Sequence, residues 1–533
     1  MKAQTVRDYL AVHTWVGILC GMVLFIAFYA GAFAMIEPEI ARWARPAAQA
    51  QPSAHASADA DAAVRAYFDA HPDSRARLRL LLPGPDRASP LLQASVRGGD
   101  EQWFELDQSG HLAPLAFPKD EDSSGNFVDY LHRKGGLPLP LEWAEPLIGL
   151  VSLAYALALI SGVVVLLPSL VKDLFYLRLG RNLKRMWLDV HNLLGVSSLP
   201  FHVVIAVSAA VFGLHDVIYA VQDKLIYRDG LRATMARASA EPPTVAPQDW
   251  LAPSELVRRV QQQAPHFQPM ALDYIRQPQR TVLLMSGIDD HHQFKRGAHV
   301  GFGFVNLGTG ELYDRTYFPG GDGSSLAAAL RSFFSLHFGS FGGDPVRVLY
   351  ILLGLSGALI FYTGNLLWIE SRTKRSRKAG QPAEERPRHV RVVSALTVGT
   401  CLGCAAGLPS ALVAAKWLSA SLPNLDPVLQ GSYFAVFLAC IAWALARGTA
   451  RAAPALLWFT AACNALVPLT SVAFHLIPGL TQRHGPPPAD APWLETLCLL
   501  LALFFGWLAW RHQRKGQPTP VTPLAGRLQP ATE

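Results

Sequence analysis

Eight stretches of the chain are long and apolar enough to cross a membrane, at about 10–36, 146–168, 189–213, 346–369, 392–418, 429–447, 453–477 and 493–511. About 20 apolar residues are needed for a helix to span ~30 Å of hydrocarbon. Composition agrees, with 51% hydrophobic and 16% charged residues, against about 25% charged in soluble domains. The expected fold class is an α-helical integral membrane protein with about eight transmembrane helices. The first stretch outruns the apolar core of a signal peptide, and no small-residue cleavage motif closes it. It is expected to stay as a helix.

The formal charge of +7 does not point to nucleic acid, because the basic residues gather beside the apolar runs. Lys172, Arg178, Arg181, Lys184 and Arg185 fall in one short loop, and Arg372, Lys374, Arg375, Arg377 and Lys378 in another. Arg447, Arg451, Arg511, Arg514 and Lys515 fall on the same side, whereas loop 419–428 has no Lys or Arg and 478–492 only Arg483. Basic loops stay cytoplasmic, so both termini are expected there. The predicted organisation is 1–36, first helix; 37–145, outward insertion; 146–168, second helix; 169–188, basic loop; and 189–213, third helix. Then come 214–345, second insertion; 346–369, fourth helix; 370–391, basic loop; 392–511, four further helices; and 512–533, tail.

Each insertion reads as a small α+β module. The first has a helix near 59–70, then "RLRLLLP", "LLQASV" and "QWFELDQSGHL" as strands; the second has a helix near 253–264, then "ALDYIRQ", "RTVLLMSG" and "GFGFVNLGTGELY". Hairpin-like turns are expected at Asp107–Gly110 and Gly308–Gly310. All six cysteines lie in apolar segments, which speaks against a disulfide framework. Cys401-x-x-Cys404 has neither a following histidine for covalent haem nor a second pair for zinc, so these read as small core residues.

The order helix, insertion, helix occurs twice. "LAVHTWVG" (10–17) matches "LDVHNLLG" (188–195), and "FELDQSGHL" (104–112) matches "FVNLGTGEL" (304–312). "YLHRKGG" (130–136) matches "SLHFGSFGG" (335–343), and "ISGVVVLLP" (160–168) matches "YTGNLLWIE" (362–370). Residues 1–370 thus read as a parallel duplication about an axis along the membrane normal. His13 and His191 become equivalent at the cytoplasmic side, and His132 and His337 at the outer side. Ionisable residues at membrane depth are functional hypotheses by default. Paired across the axis, these histidines suit axial ligation of two haems, one near each face. Gly17 and Gly195, four residues after their histidines, share a helix face with them and leave room for a flat macrocycle.

His202 lies 11 residues after His191, about 20° around a continuous helix. It is either a substitute ligand of the outer haem or a polar contact. His215, His291, His292, His475 and His484 read as ordinary edge or solvated residues.

On "VHTWVG", "YLHR", "LDVHNLLG" and "LHFGSFGG" followed by "TGNLLW", the chain resembles the PepSY-associated transmembrane-helix family of bacterial iron-regulated inner-membrane proteins. The likeness covers residues 1 to about 372, and the insertions resemble periplasmic PepSY domains in their helix-then-strands order. Some members are similar to haem b ferric-siderophore reductases. The resemblance implies an oxidoreductase with two haems b that reduces a periplasmic acceptor, a ferric siderophore, to release iron. "YLHRKGGLPLP" is a less regular form of the family's segment, and the helices after residue 390 are an extension the core does not need.

"GFGFVNLGTG" reads as strand and turn, not as a phosphate-binding loop. Electrons must therefore come from a cytoplasmic reductase or a membrane quinol. The carboxylates of "PKDEDSSGN" and "GGDGSS" are either solvated loops or an iron-holding surface. Two rival readings differ in class: a membrane-anchored PepSY regulator that binds peptides or restrains a protease, and a transporter. The regulator leaves the histidine symmetry unexplained, and the transporter lacks the broken midplane helices such folds use.

Overall fold

A computed structural model describes residues 3–44, 56–71, 77–83, 89–95, 101–106, 111–115, 123–169, 183–227, 243–277, 280–289, 301–315, 317–318, 325–378, 387–422, 424–484, 488 and 490–516. Among the described residues eight helices are long and apolar enough to span a membrane. They are α1 (Ala3–Ala34), α5 (Leu141–Leu166), α7 (Leu199–Leu225), α10 (Gly343–Lys378), α11 (Arg388–Leu418), α12 (Asp426–Arg447), α13 (Thr449–Leu476) and α15 (Pro492–Gly516). Shorter helices are α2 (Glu37–Ala44), α3 (Ala56–Ala70), α4 (Ser123–Lys134), α6 (Leu183–Ser197), α8 (Pro253–Gln263), α9 (Ser325–Phe338) and α14 (Pro478–His484). Lys172, Arg178, Arg181 and the turn at Asp107–Gly110 lie outside the described residues, as do His291, His292 and most of both acidic loops.

The third membrane segment departs from expectation. It is not one helix over 189–213 but two, α6 and α7, separated at Ser198, whose φ of −103° and ψ of 9° leave the helical region. Pro200 stands in the first turn of α7, where its missing N–H costs nothing; inside a continuous helix it would orphan a carbonyl and clash with the preceding turn. The shared face predicted for His191 and His202 rested on continuity and does not follow from it.

The insertions also differ from two separate modules. Strands β1 (Arg77–Leu81), β2 (Leu91–Ser95), β3 (Glu101–Leu106) and β4 (Leu112–Leu115) come from the first. Strands β5 (Phe267–Arg276), β6 (Thr281–Asp289), β7 (Gly301–Val305) and β8 (Leu312–Asp314) come from the second. All eight form one antiparallel sheet in the order β4-β3-β2-β1-β5-β6-β7-β8. At the central seam Leu80 faces Leu272 and Arg79 faces Asp273. One apolar core runs across it, joining Val64 and Tyr67 of α3, Leu80, Leu92, Leu272 and Met285 of the sheet, and Leu256 and Val260 of α8. Polar contacts also tie the halves: Arg77 pairs with buried Asp273 at 2.9 Å, and Ser254 donates its N–H to Asp61 Oδ1 at 2.8 Å and its hydroxyl to Asp61 Oδ2 at 2.5 Å. Asp61 thus satisfies an open amide in the first turn of the other half's helix. The expected turn at Gly308–Gly310 forms, with Gly310 at φ +70°.

Beyond α10 the last helices pack into one bundle whose polar groups answer the loss of backbone donors. Pro409 inside α11 cannot donate to the carbonyl four residues back. That carbonyl, of Ala405, accepts from Asn464 Nδ2 at 3.0 Å. The six cysteines are buried and free.

Because the sheet core is shared, Leu272→Ala at the seam should cost about 2–5 kcal/mol and loosen both halves together. Hydrogen exchange that quickens only in β5–β8 would contradict a shared core.

Candidate functional site

The four repeat-matched histidines come together in two pairs. His13 and His191 have ring centroids 6.1 Å apart, and His132 and His337 have centroids 6.2 Å apart. His13 lies on α1, His191 on α6, His132 on α4 and His337 on α9. His13 and the Ala27 carbonyl that seats His132 stand 14 residues apart on α1, or about 21 Å of helix.

One local device seats three of these rings. His13 Nδ1 donates to the Ala158 carbonyl at 2.8 Å, His191 Nδ1 is shared between the Ile360 carbonyl at 3.2 Å and Thr363 Oγ1 at 3.1 Å, and His132 Nδ1 donates to the Ala27 carbonyl at 2.7 Å. In each case a glycine stands four residues later on the accepting helix: Gly162, Gly364 and Gly31. The carbonyl of residue i points toward residue i+4 in a helix, so a missing side chain there opens the oxygen to a ring from outside. A Cβ at Gly162 would lie 2.9 Å from His13 Cε1, one at Gly31 3.0 Å from His132 Nδ1, and one at Gly364 3.5 Å from His191 Cε1.

His337 uses a variant of the device. Its Nδ1 lies 2.7 Å from Ser208 Oγ, and that hydroxyl donates to the Val204 carbonyl at 2.7 Å. With its proton so committed, Ser208 accepts from the ring. Hydroxyls also brace the inner seats: Ser161 donates to Ala158 O at 3.0 Å, and Thr363 to Ile360 O at 2.9 Å. The residues Ala158, Ser161 and Gly162 therefore correspond one by one to Ile360, Thr363 and Gly364. Sequence reasoning passed over these serine, threonine and glycine positions, although "ISG" and "YTG" stood aligned.

A carbonyl only accepts, so His13, His132 and His191 carry their proton on Nδ1 and present the Nε2 lone pair. This is the tautomer of a metal-bound imidazole whose other nitrogen donates to a backbone carbonyl. Two imidazoles on opposite sides of one metal, each bonded at about 2 Å, have ring centroids about 6 Å apart, the separation found in both pairs. A Cβ at Gly17 or at Gly195 would meet nothing within 4 Å, so open space lies beside the inner pair. The donor set and spacing of both pairs, and the open space beside the inner one, suit a flat macrocycle held by two imidazoles.

His202 belongs to neither pair. It is 1% exposed, its Nδ1 lies 2.6 Å from Tyr155 Oη, and its ring packs 5.5 Å from those of Phe28 and Phe201. Its Nε2 is buried without a hydrogen-bond partner. His215 lies 2.5 Å from the Phe212 carbonyl of its own helix, and His475 and His484 sit in the last turns of α13 and α14. Among the described residues no group of three or more His, Cys, Asp or Glu forms a metal cluster.

The tautomers can be read directly. In haem-free protein, ¹⁵N-imidazole spectra should show His13, His132 and His191 protonated at Nδ1; protonation at Nε2 would contradict the seats. Gly162→Ala should destabilise by about 1–3 kcal/mol through overpacking, whereas Gly17→Ala should be tolerated. Thermal unfolding that ranks the two equally would count against the packing described.

Residues 10–371 match the family described as the PepSY-associated TM region, a span that holds all four paired histidines and both sets of seats. No curated relative matches the chain. With most of its length inside the family's bounds, this membrane protein belongs to the PepSY-associated transmembrane family.

Proposed function

We propose that the chain carries electrons across the bacterial inner membrane through two haems b and reduces a periplasmic acceptor, a ferric siderophore, for iron release. The observation that carries this reading is the pair of histidine pairs, with centroids 6.1 and 6.2 Å apart and each Nδ1 engaged by a neighbouring helix. In this reading His13 and His191 hold one haem, and His132 and His337 the other. Haem b bound by two imidazoles supplies one-electron transfer with no open position at iron.

The protein's own part is orientation and exclusion of water. The Nδ1 bonds fix each ring's tautomer and plane. Phe28, Tyr155, Phe201 and Phe361 pack edge to face around His202 with centroids 5.2–6.3 Å apart, an apolar cluster drawn from α1, α5, α7 and α10, the helices that carry the seats. An internal duplication accounts for the matched seats and for a strand order that reads the same outward from the β1–β5 seam.

The basic loops favour cytoplasmic termini, which makes the His13/His191 side the entry for electrons from a reductase or quinol. The sheet then lies on the acceptor's side. Reduction of ferric iron weakens its bonds to hard oxygen ligands, which suits a siderophore as acceptor. A non-redox PepSY regulator leaves the four seated histidines without a role.

Replacing His13 or His191 by alanine should remove one haem of two and leave the spectrum of the other intact. Loss of both, or of neither, would contradict pairing by depth. Each change should also lower the rate of ferric-siderophore reduction by membranes at least about 100-fold, a loss of about 2.7 kcal/mol; wild-type rates would contradict the route.

A further inference from the structure

Helix α2 is more tightly held than a connector needs. Arg347, at the start of α10, pairs with Glu39 and donates from Nε to the Met35 carbonyl at 2.9 Å. Its guanidinium lies 4.5 Å from the Trp493 ring centroid. Arg42 donates to Asp490 at 2.6 Å. Trp43 is fully buried, and its indole N–H donates to Ser471 Oγ at 2.8 Å. Lys416 of α11 donates to the Trp43 carbonyl and lies 4.4 Å from the Trp43 ring centroid and 5.3 Å from that of Phe474.

Lys416 is the costly member. It is 4% exposed in a helix apolar enough to span a membrane, where an ammonium is tolerated only with partners. The partner it takes is a carbonyl in the last turn of α2, where a cation also meets the negative end of the helix dipole. Lys416, Ser471, Asp490 and Trp493 all lie beyond the family span 10–371, whereas α2 lies inside it.

The other side of α2 bears on the site. A Cβ at Gly125 of α4 would lie 2.9 Å from Glu37 Cγ and 3.0 Å from its carbonyl oxygen. Helix α4 therefore rests directly on the backbone of α2, and His132 follows about two turns later. Phe127 of α4 also meets the Tyr433 ring of α12 at 5.8 Å. The His132 ring reaches back to α1 at Ala27 and Gly31, so the angle of α4 against α1 decides where that ring sits. Helix α4 packs against both α1 and α2, so α2 bears on this angle. His337, by contrast, rides on α9, seated on α7 through Ser208.

We infer that the C-terminal helices are a positioning element for the outer histidine pair, acting on His132 through α2, with Lys416 as the anchor. This rests on the two-haem reading of the site. Lys416 touches neither histidine; it sets the orientation of one ligand of two, and ligand orientation with its outer hydrogen bond tunes a bound metal.

The test compares full-length wild type with Lys416→Met and Lys416→Arg, by redox titration of each haem and by amide exchange of α4 against α9. The outer haem is the one that His132→Ala removes. In Lys416→Met its reduction equilibrium should shift about tenfold or more, about 59 mV for one electron, with the inner haem unmoved. Exchange in α4 should quicken about tenfold more than in α9, which would mark local opening. Lys416→Arg, which keeps the charge and donors, should restore most of both. Unchanged potentials and unchanged α4 exchange would overturn the inference, as would equal shifts of both haems. If Lys416→Met does not fold, Trp43→Phe removes the indole bond to Ser471 and carries the same expectations. Wild-type protein without haem would end the reading of the site, while the exchange comparison would still decide the clamp.

Discussion

The bond from an imidazole Nδ1 to a carbonyl of a neighbouring helix is the interaction on which this architecture depends. It fixes the tautomer, because the acceptor has no proton to give. It leaves the Nε2 lone pair open, the atom that a metal would take. It also ties helices in pairs: His13 joins α1 to α5, His191 joins α6 to α10, and His132 joins α4 to α1. His337 joins α9 to α7 through Ser208. Deleting one of these rings would free an elsewhere-unused lone pair on a carbonyl and a cross-tie between two helices at once.

Helix carbonyls are already bonded to the N–H four residues on, so a second donor needs physical access. Glycine at that position gives access at Ala27, Ala158 and Ile360. Serine at position 208 instead inserts a hydroxyl between ring and carbonyl. Pro409 solves the converse problem, freeing the Ala405 carbonyl for Asn464. In a layer without water every such group must find its partner inside the protein. The polar groups of the spanning helices are therefore concentrated at helix contacts, where they specify which helices meet.

The features legible in sequence were those that depend on local pattern. The eight spans follow from hydropathy, the strands from alternation, and the histidine pairs from matching "LAVHTWVG" to "LDVHNLLG" and "YLHR" to "SLHF". What escaped depends on who meets whom in space. The joining of both insertions through the β1–β5 seam pairs residues some 190 positions apart, as Leu80 with Leu272, and no local signal announces it. The break at Ser198 had a local signal in Pro200, which hydropathy alone overrides. The glycine seats were visible only as small residues in apolar runs. Lys416 falls inside the predicted span 392–418, and its burial against Trp43 depends on the packing of α2 on the added helices.

The central claim is that the two histidine pairs hold haem, and an oxidised-minus-reduced visible spectrum of the purified protein, with haem counted per chain, tests it most directly. The account predicts a b-type difference spectrum and two haems per chain, one for each pair. A folded protein made with ample haem that carries none would contradict it.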